Sequence, residues 1–323
     1  MDYLELSQHH RYHLGTVKHT DIYKIYEDSR SMTWNENEIA SEMRIDKHNK
    51  AVLPENERIT LLNILSFFAS GDGIVNETSS TEIMPRITIM EACMVYRLFM
   101  AQEDIHNIVY TKLVELYSKN KQEVDSAFNS LFTMKSVKAK KEWSDKWSKN
   151  ASVAQVLLCN IIIEGLFFSS SFCYIFWLAE IHKGLLPGLA NSNEWISRDE
   201  GNHTMFGVMM YLKSGKCPDD IIYQMFEEAI NAELLYVQEI FDGKKFPGMN
   251  EELMFDYIRF VANDLLACIK CAPMKHVDNP FPFMIKQSTG VRIGDFFNRD
   301  TSDYGLNDIE TEEENILRFD TNF

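Results

Sequence analysis

An all-α chain is what the sequence predicts, and three observations predict it. Apolar residues recur at helical spacing from Glu55 to about Lys270. Only eight prolines and fourteen glycines punctuate 323 residues. No alternating pattern of useful length marks a strand. The first expected helix covers residues 55–77. Thr88 and Glu91 are spaced as a capping box for the next, which runs through Tyr110 to about Tyr117. Shorter helical patterns follow near 121–133 and 137–148, then longer ones at 151–181, 189–213, 218–242 and 249–271.

The stretch from Ala151 to Ala179 has one charged residue, Glu164. About 20 apolar residues suffice to cross a membrane, so that reading has to be weighed. Gln155, Asn160 and the serines Ser169 to Ser171 argue instead for the central helix of a large bundle, apolar all round because it is enclosed. Either way, the Glu164 carboxylate has to be neutralised, paired or metal-bound, because an unpaired buried charge is very costly.

A composition of 45% hydrophobic and 25% charged residues is that of a globular protein, long enough for one large domain or two small ones. The formal charge of −16 argues against a nucleic-acid partner, which requires basic patches. The start, MDYLELSQHHRYH, lacks the apolar run of a signal peptide, and most of the six cysteines sit in apolar runs. A reducing, cytoplasmic location is therefore expected. Cys268 and Cys271 form a CxxC, but no second one exists to complete a zinc site. Residues 300–323 carry eight carboxylates against one basic side chain, Arg318, the composition of a disordered tail.

Chemistry enters with Glu-x-x-His, which occurs twice: Glu103 to His106 and Glu200 to His203. Residues i and i+3 share a helix face, so each pair presents a carboxylate and an imidazole together. One such pair is a weak signal. Two, in long helices, supply half of a di-metal carboxylate site, which takes one further carboxylate from each of two other helices. Glu164 is the obvious third carboxylate. The fourth has to come from before Glu103, where composition does not separate Asp46 from Glu38 or Glu42.

With these residues in view, GDGIVNET at 71–78, MAQEDIHNIVY at 100–110, IIIEGLFFSSSF at 161–172 and NEWISRDEGNH at 193–203 resemble the small subunit of class I ribonucleotide reductases in its eukaryotic and viral form. LPGL at 186–189, NPFPFM at 279–284 and DFF at 295–297 extend the likeness over nearly the whole chain. The resemblance implies a ferritin-like helical bundle with additional helices, divided into an N-terminal segment 1–20, a di-iron domain 21–290 and a flexible tail 291–323. It implies a homodimer, a large catalytic subunit as partner, and no membrane or nucleic acid. Two iron ions per chain, with manganese as an alternative and a bridging oxygen, would be held by Asp46, Glu103, His106, Glu164, Glu200 and His203.

By the same resemblance, the metal centre uses O2 to oxidise Tyr110 to a stable radical, inside an apolar pocket of Phe168, Phe172 and Ile196. Asp199 matches an aspartate that hydrogen-bonds a metal-bound histidine. Tyr304 matches a tyrosine that relays the radical to the large subunit, where ribonucleoside diphosphates are reduced. Ile316, Leu317, Phe319 and Phe323 are the apolar anchors of a docking peptide. The family normally has a tryptophan against the aspartate matching Asp199. The expectation here is that Tyr23 takes that tryptophan's place and that Asp199 is its hydrogen-bond partner. Two alternatives compete: another di-iron oxidase of the same fold, which would need no radical-transfer tail, and a catalytically silent helper subunit.

Overall fold

The computed structural model describes residues 13–131 and 133–287. Among them stand eleven α-helices: α1 (Thr20–Ser31), α2 (Ala40–Asn49), α3 (Glu55–Thr78), α4 (Met90–Tyr117), α5 (Lys121–Leu131), α6 (Lys135–Ser148), α7 (Val153–Ile162), α8 (Ser169–Ile181), α9 (Pro187–Ser214), α10 (Asp219–Phe241) and α11 (Glu251–Cys268). No strand is present among the described residues beyond an isolated bridge between Phe246 and Met249. Helices are found in every expected segment, with the 151–181 run broken into two, and α1 and α2 precede them.

Local sequence explains several ends. Ser152 Oγ accepts the Gln155 amide at 3.2 Å and starts α7; Asn250 Oδ1 accepts the Leu253 amide at 2.9 Å and starts α11. Pro187 opens α9, where a missing N–H costs nothing. Helix α4 begins at Met90 with Ile89 as its N-cap residue, one position after Thr88. Glu91 accepts the backbone N–H of Lys18 at 2.9 Å.

The 151–181 run is not one regular helix. A five-residue π turn, Ile163–Phe167, separates α7 from α8 and carries Glu164. Its most apolar window is 94% buried, so the stretch is apolar because it runs through the interior. Helix α3 packs along α4, and α7 along α9; α4 also meets α9, and α3 meets α8. These four helical paths enclose the centre of the molecule. Around them, α1 lies on α4, α2 on α9, and α10 packs on α6, α11 and the π turn. At Gly188 the α2–α9 approach is so close that a Cβ would lie 2.7 Å from the Met43 amide nitrogen. The core includes fully buried Phe68, Phe168, Phe206, Phe226 and Phe241, each worth about 1.5–3 kcal/mol in area removed from water.

Candidate metal centre

Each of the four central paths brings acid into this interior. Helix α4 supplies Glu103 and His106, α9 supplies Glu200 and His203, the π turn supplies Glu164, and α3 supplies Asp72. All six are buried. His106 Nδ1 lies 3.0 Å from Glu200 Oε1 and 3.4 Å from Glu103 Oε2. His203 Nδ1 lies 3.0 Å from Glu103 Oε1 and 3.7 Å from Glu200 Oε2. Glu103 and Glu200 thus each present one oxygen to each imidazole. The far nitrogens are held from outside: His106 Nε2 faces Asp199 Oδ2 at 3.4 Å, and His203 Nε2 faces Gln102 Oε1 at 3.2 Å. Both outer partners accept, so each Nε2 carries a proton, and Nδ1 is the nitrogen that a metal could take once its own proton is released.

The donor atoms fall into two overlapping sets, Glu103–His106–Glu200 and Glu103–Glu164–His203, each with its atoms within 4.8 Å of one another. Glu103 belongs to both sets, so the two adjoin. Buried polar atoms in native proteins are nearly always hydrogen-bonded. Here both oxygens of Glu103 and Glu200, Nδ1 of His106 and His203, Oε2 of Glu164 and Oδ2 of Asp72 have no hydrogen-bond partner. Four carboxylates with two neutral imidazoles carry four negative charges, which two divalent cations cancel. The residues fit a di-metal group.

Protonation follows the same geometry. Burial raises the Glu103 carboxyl, but His106 and His203 outweigh it and hold it at about 2. Burial raises Glu164 and Asp72 well above the carboxylate range, and Glu103 and Glu200 add to it. Burial works against the protonated imidazoles, yet Asp199, Glu103 and Glu200 raise His106, and Glu103 and Glu200 raise His203. Without metal the cluster therefore holds protons that a metal has to displace.

Asp46 is not part of this cluster. Its buried carboxylate accepts the backbone N–H groups of Gly188 and Leu189 at 2.8 and 2.7 Å and the Tyr117 hydroxyl at 2.8 Å. It caps the first turn of α9 from a neighbouring helix, where free amides and the helix dipole favour an anion. The buried acid from before Glu103 on which the charges of this cluster act is Asp72. One signal for it lay in the sequence: Leu61, Leu65, Phe68, Asp72 and Val75 follow helical spacing, so the acid falls on the buried stripe of α3. The flanking Gly71 and Gly73 disguise it as a turn.

Tyr110, one turn beyond His106 on α4, is buried, and its hydroxyl has no hydrogen-bond partner. Burial pushes that hydroxyl far up, and Asp72 acts on it more strongly than Glu200 or Glu103. Its ring stacks on Phe68 at 4.6 Å and 5°. Phe168 and Phe172 pack on the same Phe68 at 5.4 and 4.6 Å, and Ile196 is buried on α9. Phe68 is thus the pocket member the sequence did not single out. Gly71 makes room for this wall, since a Cβ there would lie 2.7 Å from the Phe168 ring.

Asp199 does not pair with Tyr23. Its Oδ2 accepts the indole N–H of Trp34 at 2.8 Å, and its Oδ1 meets Arg198 Nη2 at 3.0 Å. The Trp34 ring lies 6.1 Å from that of His106 and edge-on to Trp195 at 5.2 Å. Tyr23 stays half-buried on α1 against Tyr26, 5.9 Å away. The tryptophan that Tyr23 was expected to replace is present as Trp34, eleven residues further on, in the irregular segment between α1 and α2. Gln102 is the other partner that went unnoticed. Tyr304, Ile316, Leu317, Phe319 and Phe323 lie outside the described residues.

The family model described as "Ribonucleotide reductase, small chain" matches residues 11–280. This chain belongs to the ribonucleotide reductase small chain family. The small chain of ribonucleoside-diphosphate reductase from Spisula solidissima is 36% identical over 271 residues, 83% of this chain and 69% of that one. The Variola virus small chain is 33% identical over 315 residues, 97% of each. In fold, the chain is similar to the ribonucleotide reductase Rnr4 homodimer of Saccharomyces cerevisiae, with a TM-score of 0.80, 24% identity and coverage of 92% of this chain and 93% of that one. As a small chain of ribonucleotide reductase it is an oxidoreductase subunit with a ferritin-like helical fold and buried carboxylate and histidine groups able to hold metal.

Proposed function

We propose that this small chain holds two metal ions through Asp72, Glu103, His106, Glu164, Glu200 and His203, and that it stores an oxidising equivalent on Tyr110. The observation that carries the reading is the convergence of eight buried, unbonded donor atoms beside a buried, unbonded tyrosine hydroxyl. Carboxylate-rich sites with two imidazoles suit iron and manganese. When bound, the pair supplies, with O2, the oxidising power that removes an electron from Tyr110.

The chain's own residues do the rest. Tyr110 holds its phenolic proton at rest and has to release it on oxidation. Phe68, Phe168, Phe172 and Ile196 exclude water and reductants from the oxidised ring. Asp199 keeps His106 in the tautomer whose Nδ1 faces the metal, and Trp34 extends that contact outward. The route His106–Asp199–Trp34 leads the equivalent towards a large subunit that reduces ribonucleoside diphosphates. Tyr304 then relays it across the interface, and Ile316, Leu317, Phe319 and Phe323 dock the tail 291–323. The working unit is a cytoplasmic homodimer joined to that partner.

The test is to add Fe(II) and O2 to the purified chain and record metal content, optical spectrum and low-temperature EPR. Two irons per chain and a tyrosyl signal lost in Tyr110→Phe are expected. Fewer than one metal per chain, or a signal that survives Tyr110→Phe, would overturn the reading.

A further inference from the structure

Outside the centre, an ion pair lies fully buried between two helices. Lys140 on α6 and Glu233 on α10 meet at 2.6 Å, with 4% and 0% of their side chains exposed. An ammonium taken out of water is costly, and one carboxylate rarely compensates for it. Here it has more partners. Lys140 Nζ lies 4.0 Å from the Phe67 ring centroid and 3.8 Å from that of Tyr236, and it donates to the Phe167 carbonyl at 3.0 Å. Glu233 Oε1 accepts the Ser170 hydroxyl.

Those two contacts have a common target. Phe167 is the last residue of the π turn, and Ser170 lies in the first turn of α8. A π turn inserts an extra residue into the helix, and its carbonyls need partners as the regular pattern resumes. At this exit the Leu166 carbonyl accepts the Ser169 hydroxyl at 2.7 Å, and the Phe167 carbonyl accepts Lys140. The turn so fastened carries Glu164, whose Oε1 accepts Asn160 Nδ2 at 2.9 Å from one turn earlier. Glu164 is thus braced on the N-terminal side by Asn160 and on the C-terminal side, three residues on, by the Lys140–Glu233 pair.

We propose that Lys140 and Glu233 are positioning residues for the metal position built from Glu103, Glu164 and His203: by clamping the exit of the π turn from α6 and α10, they fix where the Glu164 carboxylate stands. The inference rests on the metal-centre reading above. It also separates the two positions, because the other set, Glu103–His106–Glu200, has no ligand on this turn.

The double substitution Lys140→Met with Glu233→Met keeps side-chain bulk and removes both charges together, the kind of replacement that cores commonly accept. The probe is Mn(II), titrated anaerobically and followed by EPR and equilibrium binding. Wild type should bind two Mn(II) per chain as a spin-coupled pair. The double variant, with a melting temperature within a few degrees of the wild type, should keep one site unchanged, bind the second at least tenfold more weakly, and show a mononuclear six-line signal at intermediate loading. Unchanged affinities and coupling would overturn the proposal. So would equal weakening of both sites, or a variant that fails to fold, since either marks a plain core pair. A wild type that takes up fewer than two Mn(II) would instead sink the metal-centre reading itself.

Discussion

Replacing Asp46 and Asp72 in turn separates two acids that sequence reasoning confuses. Asp46→Ala removes the acceptor of two α9 amides and of the Tyr117 hydroxyl. Losing a helix cap costs about 1 kcal/mol. Leaving buried donors unpaired adds on the order of 1–3 kcal/mol. A total of about 3 kcal/mol is expected, or roughly 4 °C in Tm for a chain of 323 residues. Metal content should stay at the wild-type value, because no donor of the cluster is touched. Asp46→Asn keeps one acceptor and should lose about half as much. Asp72→Ala should do the opposite: it removes a buried acid that burial and Glu103 make unfavourable, so the metal-free Tm holds or rises, while metal uptake falls. Differential scanning calorimetry of metal-free protein and elemental analysis of loaded protein give both numbers. If Asp46→Ala loses metal at unchanged apo stability, the assignment of Asp72 is refuted.

Trp34→Phe should retain metal and the Tyr110 radical but lose turnover with the large subunit, whereas Tyr23→Phe should be close to wild type in the same assay; equal loss in both would return the relay to Tyr23. Removing residues 305–323 should abolish activity with the large subunit and leave metal and radical in place, and full activity in that truncation would rule out docking by the tail. Metal affinity should rise with pH: Asp72, Glu164, His106 and His203 all have raised pKa values, hold protons in the metal-free protein and have to release them on binding. Two or more protons displaced per chain mean more than about a tenfold change in overall affinity per pH unit near neutrality, and a flat Mn(II) titration series between pH 6 and 8 would contradict this.

What the sequence made legible was whatever depends on spacing within one helix. The two Glu-x-x-His pairs, the lone Glu164 in an apolar run and Tyr110 one turn beyond His106 all follow from the 3.6-residue repeat. Asp72 obeys the same repeat, but two glycines beside it look like a turn, and only tertiary packing keeps that stretch helical. Trp34 lies in the irregular segment between two short helices with little apolar patterning, so its approach to Asp199, 165 residues away, is a tertiary fact. The π turn at Glu164 has no one-dimensional signature, because the same residues suit an unbroken helix.

The enclosed α7–π turn–α8 stretch also bears on how the chain is made. Val153–Ile181 is apolar enough, over 29 residues, to be taken for a membrane span, and only its neighbours hide it. Two of those neighbours, α10 and α11, are encoded after it, and α11 ends at Cys268, roughly 90 residues downstream. At the ordinary pace of synthesis the segment waits on the order of ten seconds for its full cover. An ionisable residue near the middle of such a stretch opposes entry into lipid by about 3 kcal/mol. Glu164 lies near that middle, so the carboxylate assigned to the metal centre also discourages a nascent core helix from entering a bilayer.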